Sequence, residues 1–305
     1  LNPLAVNLTA DNVNLTARNG LIDIDTRVKS VNSQSALGTQ IDEFNAATLN
    51  SVIATNGAIR VASGNTLTVD LVQSTTDLQL NAISLRTAAG NIDIDEVRIG
   101  TGGDAAAGDV TIDAAGAVTD LNTNLNVFGL VPAAVNVTGD NVNVTSRTST
   151  IDLDTRANSI NSQSALGTQI DEFNAVTLNS VVATNGAIRV ASGDQMTVTF
   201  VQSVTDAQAN GISLTTAAGD VRVDVVKIGT DGDASGLDAA TGDVTINAAG
   251  SISDLNSGLD VFALNPAAVN ITADNVNLTA RTGAIDVDTR VNSVNSQSAL
   301  GTQID

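Results

Sequence analysis

Three copies of one decapeptide, SQSALGTQID, occupy residues 33–42, 162–171 and 296–305. Their starts lie 129 and 134 residues apart, and the first two copies run on identically through Ala46 and Ala175. A chain built of long internal copies folds as an array of like units, each packed on its neighbours. Phasing on Pro3, Pro132 and Pro266 gives repeat one as 1–129, repeat two as 130–263 and a partial third as 264–305. Ile304-Asp305 matches the interior pair Ile41-Asp42, so the expectation is a window on a longer continuous array.

Each repeat opens with a doublet: AVNLTADNVNLTAR at 5–18, AVNVTGDNVNVTSR at 134–147 and AVNITADNVNLTAR at 268–281. Val6 and Leu8 alternate with Asn7 and Thr9, and Val13 and Leu15 with Asn14 and Thr16. This period of two predicts strands with one face buried and one wet. LIDIDTR at 21–27 repeats the pattern, with Asp23 and Asp25 on the wet side. Differences between copies act as an internal control. Leu67, Val69 and Leu71 become Met196, Val198 and Phe200, whereas Asp70 becomes Thr199 and Asp93 becomes Arg222. Positions that stay apolar are expected inside, and positions that change chemistry outside.

Short strands of about four to seven residues recur every ten or so residues, and no stretch shows a helical period. A sandwich array and a parallel β-solenoid both fit. Only 2% of residues are aromatic, so the core is thin and aliphatic. Asn-Gly and Asp-Gly dipeptides are too few to join all these strands as tight hairpins. The expected fold is therefore all-β: an elongated parallel β-helix of tandem long repeats. Coils of roughly 20 residues put about six in each repeat, an advance of about 30 Å. The one length change, GTGGDAAAGD at 100–109 against GTDGDASGLDAATGD at 229–243, leaves both flanks in phase and reads as a surface loop.

Phrases such as GDVTIDAAGAVTD (108–120), GDVTINAAGSISD (242–254) and DNVNLTAR (11–18) resemble the β-strand-repeat regions of filamentous haemagglutinin-like adhesins and related giant bacterial surface proteins. The resemblance spans the chain and is compositional. It implies a right-handed β-helix, export to the cell exterior, and a stalk or adhesive role.

Several groups are candidates for chemistry. The pairs Asp23/Asp25, Asp93/Asp95, Asp152/Asp154 and Asp286/Asp288 suit a solvated face, cation bridging between stacked carboxylates, or acid–base work. The copying of the first pair in every repeat, with no His or Cys in the chain, argues against catalysis. In the longer loop, Asp231, Asp233 and Ser235, with Asp238 and Asp243 nearby, match part of a calcium loop. Gly242 stands where a bidentate Glu belongs. Six Asn-X-Thr sequons, at Asn7, Asn14, Asn136, Asn143, Asn270 and Asn277, are expected on the outward face of the doublet. The Phe residues, Phe44, Phe128, Phe173, Phe200 and Phe262, are expected to fill the core.

A net charge of −20 repels nucleic acid and anionic lipid. No apolar run reaches the length of a membrane span. A β-helix polysaccharide lyase would need one unrepeated cluster of Asp, Arg and Lys. Most of the 13 Lys and Arg recur in register instead, as at Arg18/Arg147/Arg281 and Arg27/Arg156/Arg290. The expected function is a non-enzymatic extracellular stalk or filament segment of a surface adhesin. It would associate end to end or laterally and meet a receptor on a neighbouring surface. A calcium-stabilised surface-layer or matrix protein is the alternative.

Overall fold

A computed structural model describes residues 6–102, 107–122, 125, 127–129, 135–230, 242–256 and 269–305. Its contacts divide the chain into two compact units, Leu1–Leu125 with Val131–Asn158, and Asn126–Leu130 with Ser159–Asp305. The boundary falls inside the strand Ile151–Ser164, well within the second repeat. Among the described residues there is no helix, and every strand pairing for which a register is given is parallel. The parallel β-helix expected from the thin aliphatic pattern is the fold of each unit.

One coil of the first unit shows the plan. Ile59–Ser63 alternates buried and outward residues, then a turn leads into Leu67–Ser74. In that second strand Leu67 and Val69 are buried, Asp70 and Leu71 both lie outside the core, and Val72 is buried again. Two successive outward residues slip the alternation by one and turn a corner. Each coil thus has three short faces: 59–63, 67–69 and 72–74. The corner also corrects an expectation, because Leu71 and its copy Phe200 stand outside the core, unlike Leu67, Val69, Met196 and Val198.

Stacking coils aligns the inward residues in columns. On the first face run Ile24, Ile41, Val61, Leu85, Ile112 and Val144. On the third run Leu15, Ser33, Val52, Val72, Val97 and Val137. The steps along this third column are 18, 19, 20, 25 and 40 residues. Coils are therefore unequal, and the added length sits between strands rather than in them. Ile41, Val52, Val72, Leu85, Val97 and Ile112 are essentially inaccessible to water. Each such aliphatic side chain contributes about 1.5–3 kcal/mol by burial. The second unit repeats the plan, with Ile170, Val190, Leu214, Ile246 and Leu278 on its first face.

Glycine matters most where adjacent coils touch through backbone. Gly57 has φ +133°, and a Cβ built there would lie 2.1 Å from the Leu37 carbonyl oxygen. Its copy Gly186 has φ +142° and the corresponding distance to Leu166 O is 1.9 Å. A side chain meets both a disfavoured backbone region and fixed main chain.

Candidate functional site

The polar groups that recur once per repeat gather at the corners. The fullest cluster surrounds Asn136, which is completely buried. Its Nδ2 donates to Ile94 O at 3.1 Å, Asp95 O at 3.2 Å and Asp120 Oδ1 at 2.9 Å. Its Oδ1 accepts the N–H of Asp154 at 2.9 Å. One carboxamide thereby joins the strands that carry Ile94, Asp120 and Asp154. Asn270 repeats the arrangement in the second unit, donating to Val223 O, Asp224 O and Asp254 Oδ1 and accepting from Asp288 N. Burial pushes the Asp120 carboxyl above its ordinary range, with Asp95 adding to the rise. The Asn136 amide and the Asn122 N–H pull the other way.

This geometry corrects two expectations. Asn136 and Asn270 are not outward sequons. The chain enters the doublet through a corner, so Asn136 and Val137 are both buried and the alternation fails there. A sealed amide holding four partners is unavailable for glycosylation in the folded protein. Asn7 and Asn14 are exposed, and Asn143 and Asn277 half-buried, as outward positions require. The paired Asp residues also separate. Asp23 and Asp286 are exposed and Asp152 is half-buried, but Asp154 and Asp288 are 2% and 4% exposed. They lie at the same corner, where the Asn side chain receives their backbone N–H and Asp154 Oδ2 takes the Leu125 N–H. Asp93 lies in register between Thr68 and Thr119 and accepts the Thr119 hydroxyl.

The sequence reading missed a buried acid. Glu43 is wholly inaccessible; its Oε2 accepts Thr26 Oγ1 at 2.7 Å and Val28 N at 3.0 Å, and its Oε1 accepts Asn45 N at 2.9 Å. The signal was present, because alternation from Thr39 through Ile41 points residue 43 inward. Its copy Glu172 is equally buried and accepts Asn174 N at 3.1 Å. Phenylalanine was misplaced in the opposite sense. Phe44, Phe173 and Phe200 are half-buried and Phe128 is 62% exposed; Phe262 lies outside the described residues. Arg27 stands 4.6 Å over the Phe44 ring and Lys227 5.3 Å over Phe200. Large rings do not fit between three close-set faces, and on the outside they gain cation–π contact.

Of the calcium-loop candidates, Asp231, Asp233, Ser235 and Asp238 lie outside the described residues. Asp243 is described, and its Oδ1 accepts Asn275 Nδ2 at 2.8 Å. Its copy Asp109 takes Asn141 on Oδ1 at 2.7 Å and Gln79 on Oδ2 at 3.1 Å. Among the described residues no group of three or more His, Cys, Asp or Glu is placed to hold a metal ion.

No family model, curated protein or solved structure matches this chain.

Two of the recurrent cations are engaged with main chain. Arg147 reaches Ala114 O at 3.4 Å on the adjacent coil and Thr87 O one coil further, and also pairs with Asp113 at 3.2 Å. Arg281 makes the same two backbone contacts, to Ala248 O and Thr216 O. Gln73 and Gln202 donate to Gly100 O and Gly229 O, fixing the base of the variable loop in both repeats. These arrangements join coil to coil and anchor loops. Among the described residues no helix is long and apolar enough to cross a membrane.

Proposed function

We propose that this chain is a structural segment of an extracellular bacterial adhesin of the filamentous-haemagglutinin kind, a stalk or filament giving reach and display. The observation that carries the reading is that side chains at matching positions of the second and third repeats hold backbone rather than converge on a substrate. Asn136, Asn270, Arg147 and Arg281 each bridge coils through carbonyl oxygens or N–H groups. Such an array lengthens by duplication, because each coil meets only its neighbours and a new one inserts with the same contacts. The acidic surface keeps the segment soluble and away from polyanions.

The test has two arms. Deleting the 129 residues from 34 to 162 should shorten single molecules in electron micrographs by roughly 25 Å, the height of about five coils, and leave the β circular-dichroism signal per residue unchanged. Incubation with polygalacturonate or alginate should release no unsaturated product. Unsaturated product above a blank, or loss of fold on deletion, would overturn the reading.

A further inference from the structure

The long repeat does not contain a whole number of coils. In the first unit, Leu15 starts a column on the third face that reaches Val137 after five in-register steps. The copy of Leu15 in repeat two is Val144, which is not in that column. Val144 stacks on Ile112, Leu85, Val61, Ile41 and Ile24, the first-face column. Equivalent residues therefore sit one face apart, in the direction the chain runs.

The second unit shows the same shift independently. Ser162 lies in a third-face column with Val181, Val201, Val226, Ile271 and Thr289, again five steps. Its copy Ser296 stacks on Leu278, Ile246, Leu214, Val190 and Ile170 on the first face. The first interval is 129 residues and the second 134, yet both give five coils and one face. The five added residues lie in the loop at 229–243 and leave the phase untouched. A fractional count held through a length change is a property of the strands and corners, not an accident of spacing.

We infer that the long repeat is an indexing unit, advancing five coils and one third of a turn, so that equivalent side chains on successive repeats stand on successive faces of the coil. This deepens the stalk reading and rests on it. Within the first unit the outward Thr16 stands on the third face and its copy Thr145 on the first. The register returns after three repeats, about 16 coils. A partner lying flat against one side meets a given outward side chain on one repeat in three, whereas a partner approaching from any side meets one. Such an array suits attachment around its whole circumference, and packing into flat layers through one repeated face is disfavoured.

The chain has no cysteine, so paired spin labels report distances without background. Thr16 and Thr145 are outward equivalents of repeats one and two within the first unit. The double variant Thr16→Cys, Thr145→Cys is measured beside a ruler, Thr16→Cys with Thr138→Cys, which share one outward column five coils apart. At about 4.8 Å per coil the ruler reads roughly 24 Å. Labels on one face would read about 25 Å, whereas labels one face apart read about 29 Å or more, since a five-residue face is roughly 15 Å wide. A Thr16–Thr145 distance no longer than the ruler's, with the ruler intact, overturns the indexing alone. A failed ruler removes the coil stacking, and the stalk reading with it.

Discussion

Replacing Asn136 by alanine tests whether a single amide holds the corner where one repeat hands over to the next. The substitution leaves the Asp154 N–H without its acceptor at a position 2% exposed, and frees the Ile94 and Asp95 carbonyls. An unpaired buried N–H costs about 1–3 kcal/mol, and the void left by the carboxamide adds about 1 kcal/mol. The expected loss is about 2–4 kcal/mol. Asn136→Asp keeps the shape but turns the donor into an acceptor facing two carbonyls and Asp120. Its folded pKa then lies above the unfolded value of about 3.9. That extra loss is absent below the unfolded value, grows as pH rises through the folded one, and is complete at neutral pH. Asn270→Ala should match Asn136→Ala, whereas Asn7→Ala should cost less than about 1 kcal/mol, because Asn7 is exposed and its side chain accepts the Asp25 N–H. Trp and Tyr are absent, so urea unfolding is followed by far-ultraviolet circular dichroism, with hydrogen exchange at the Asp154 and Leu125 amides reporting the corner itself. An Asn136→Ala cost no larger than that of Asn7→Ala would refute the reasoning.

Glu43→Gln replaces an acceptor of three hydrogen bonds by a group with one donor end. Thr26 can reverse its hydroxyl but the Val28 N–H cannot, so a loss of about 1–3 kcal/mol in urea is expected. Gly57→Ala forces a Cβ against the Leu37 carbonyl at positive φ and should cost about 2–4 kcal/mol, lowering the thermal midpoint more than Gly20→Ala, where the space is open. The Asp120 carboxyl is raised by burial, so the folded state binds its proton more tightly than the unfolded state does. Its contribution is favourable in acid and is lost as pH rises from the unfolded value to the folded one. Asp120→Asn should leave stability at pH 7 unchanged or slightly higher and remove that share of the pH dependence, read from urea midpoints between pH 3 and 7.

The regular parts of the coil were legible in the sequence because alternation and burial agree there. Ile59, Val61, Leu67 and Val69 occupy the core their spacing assigns. Parallel stacking followed from the scarcity of hairpin turns and aromatics. The corners were not legible. A bend at Asp70 and Leu71 slips the period by one, and nothing in the local composition marks it. The same cause misassigned Asn136, Asn270, Asp154 and Asp288, all outward by simple alternation and all buried at a corner. Glu43 was hidden by chemistry instead. Its phase pointed inward, and only the expectation that acids face water concealed it. The coil count of about six per repeat erred because loop length inflates the residues per coil unevenly, and only register reveals the true five and a third.

The central claim is that strands two apart along the chain lie side by side, parallel and in register. Thr48 and Thr68 face outward as register partners on neighbouring coils, with Asp93 one coil further. With cysteines at Thr48 and Thr68, a short linker of about 5 Å span carrying two thiol-alkylating ends should join them rapidly within one molecule, since stacked strands lie about 4.8 Å apart. Cysteines at Thr48 and Asp93, about twice as far apart, should stay unlinked. Efficient linking of the second pair, or none of the first, would contradict the stacked coil.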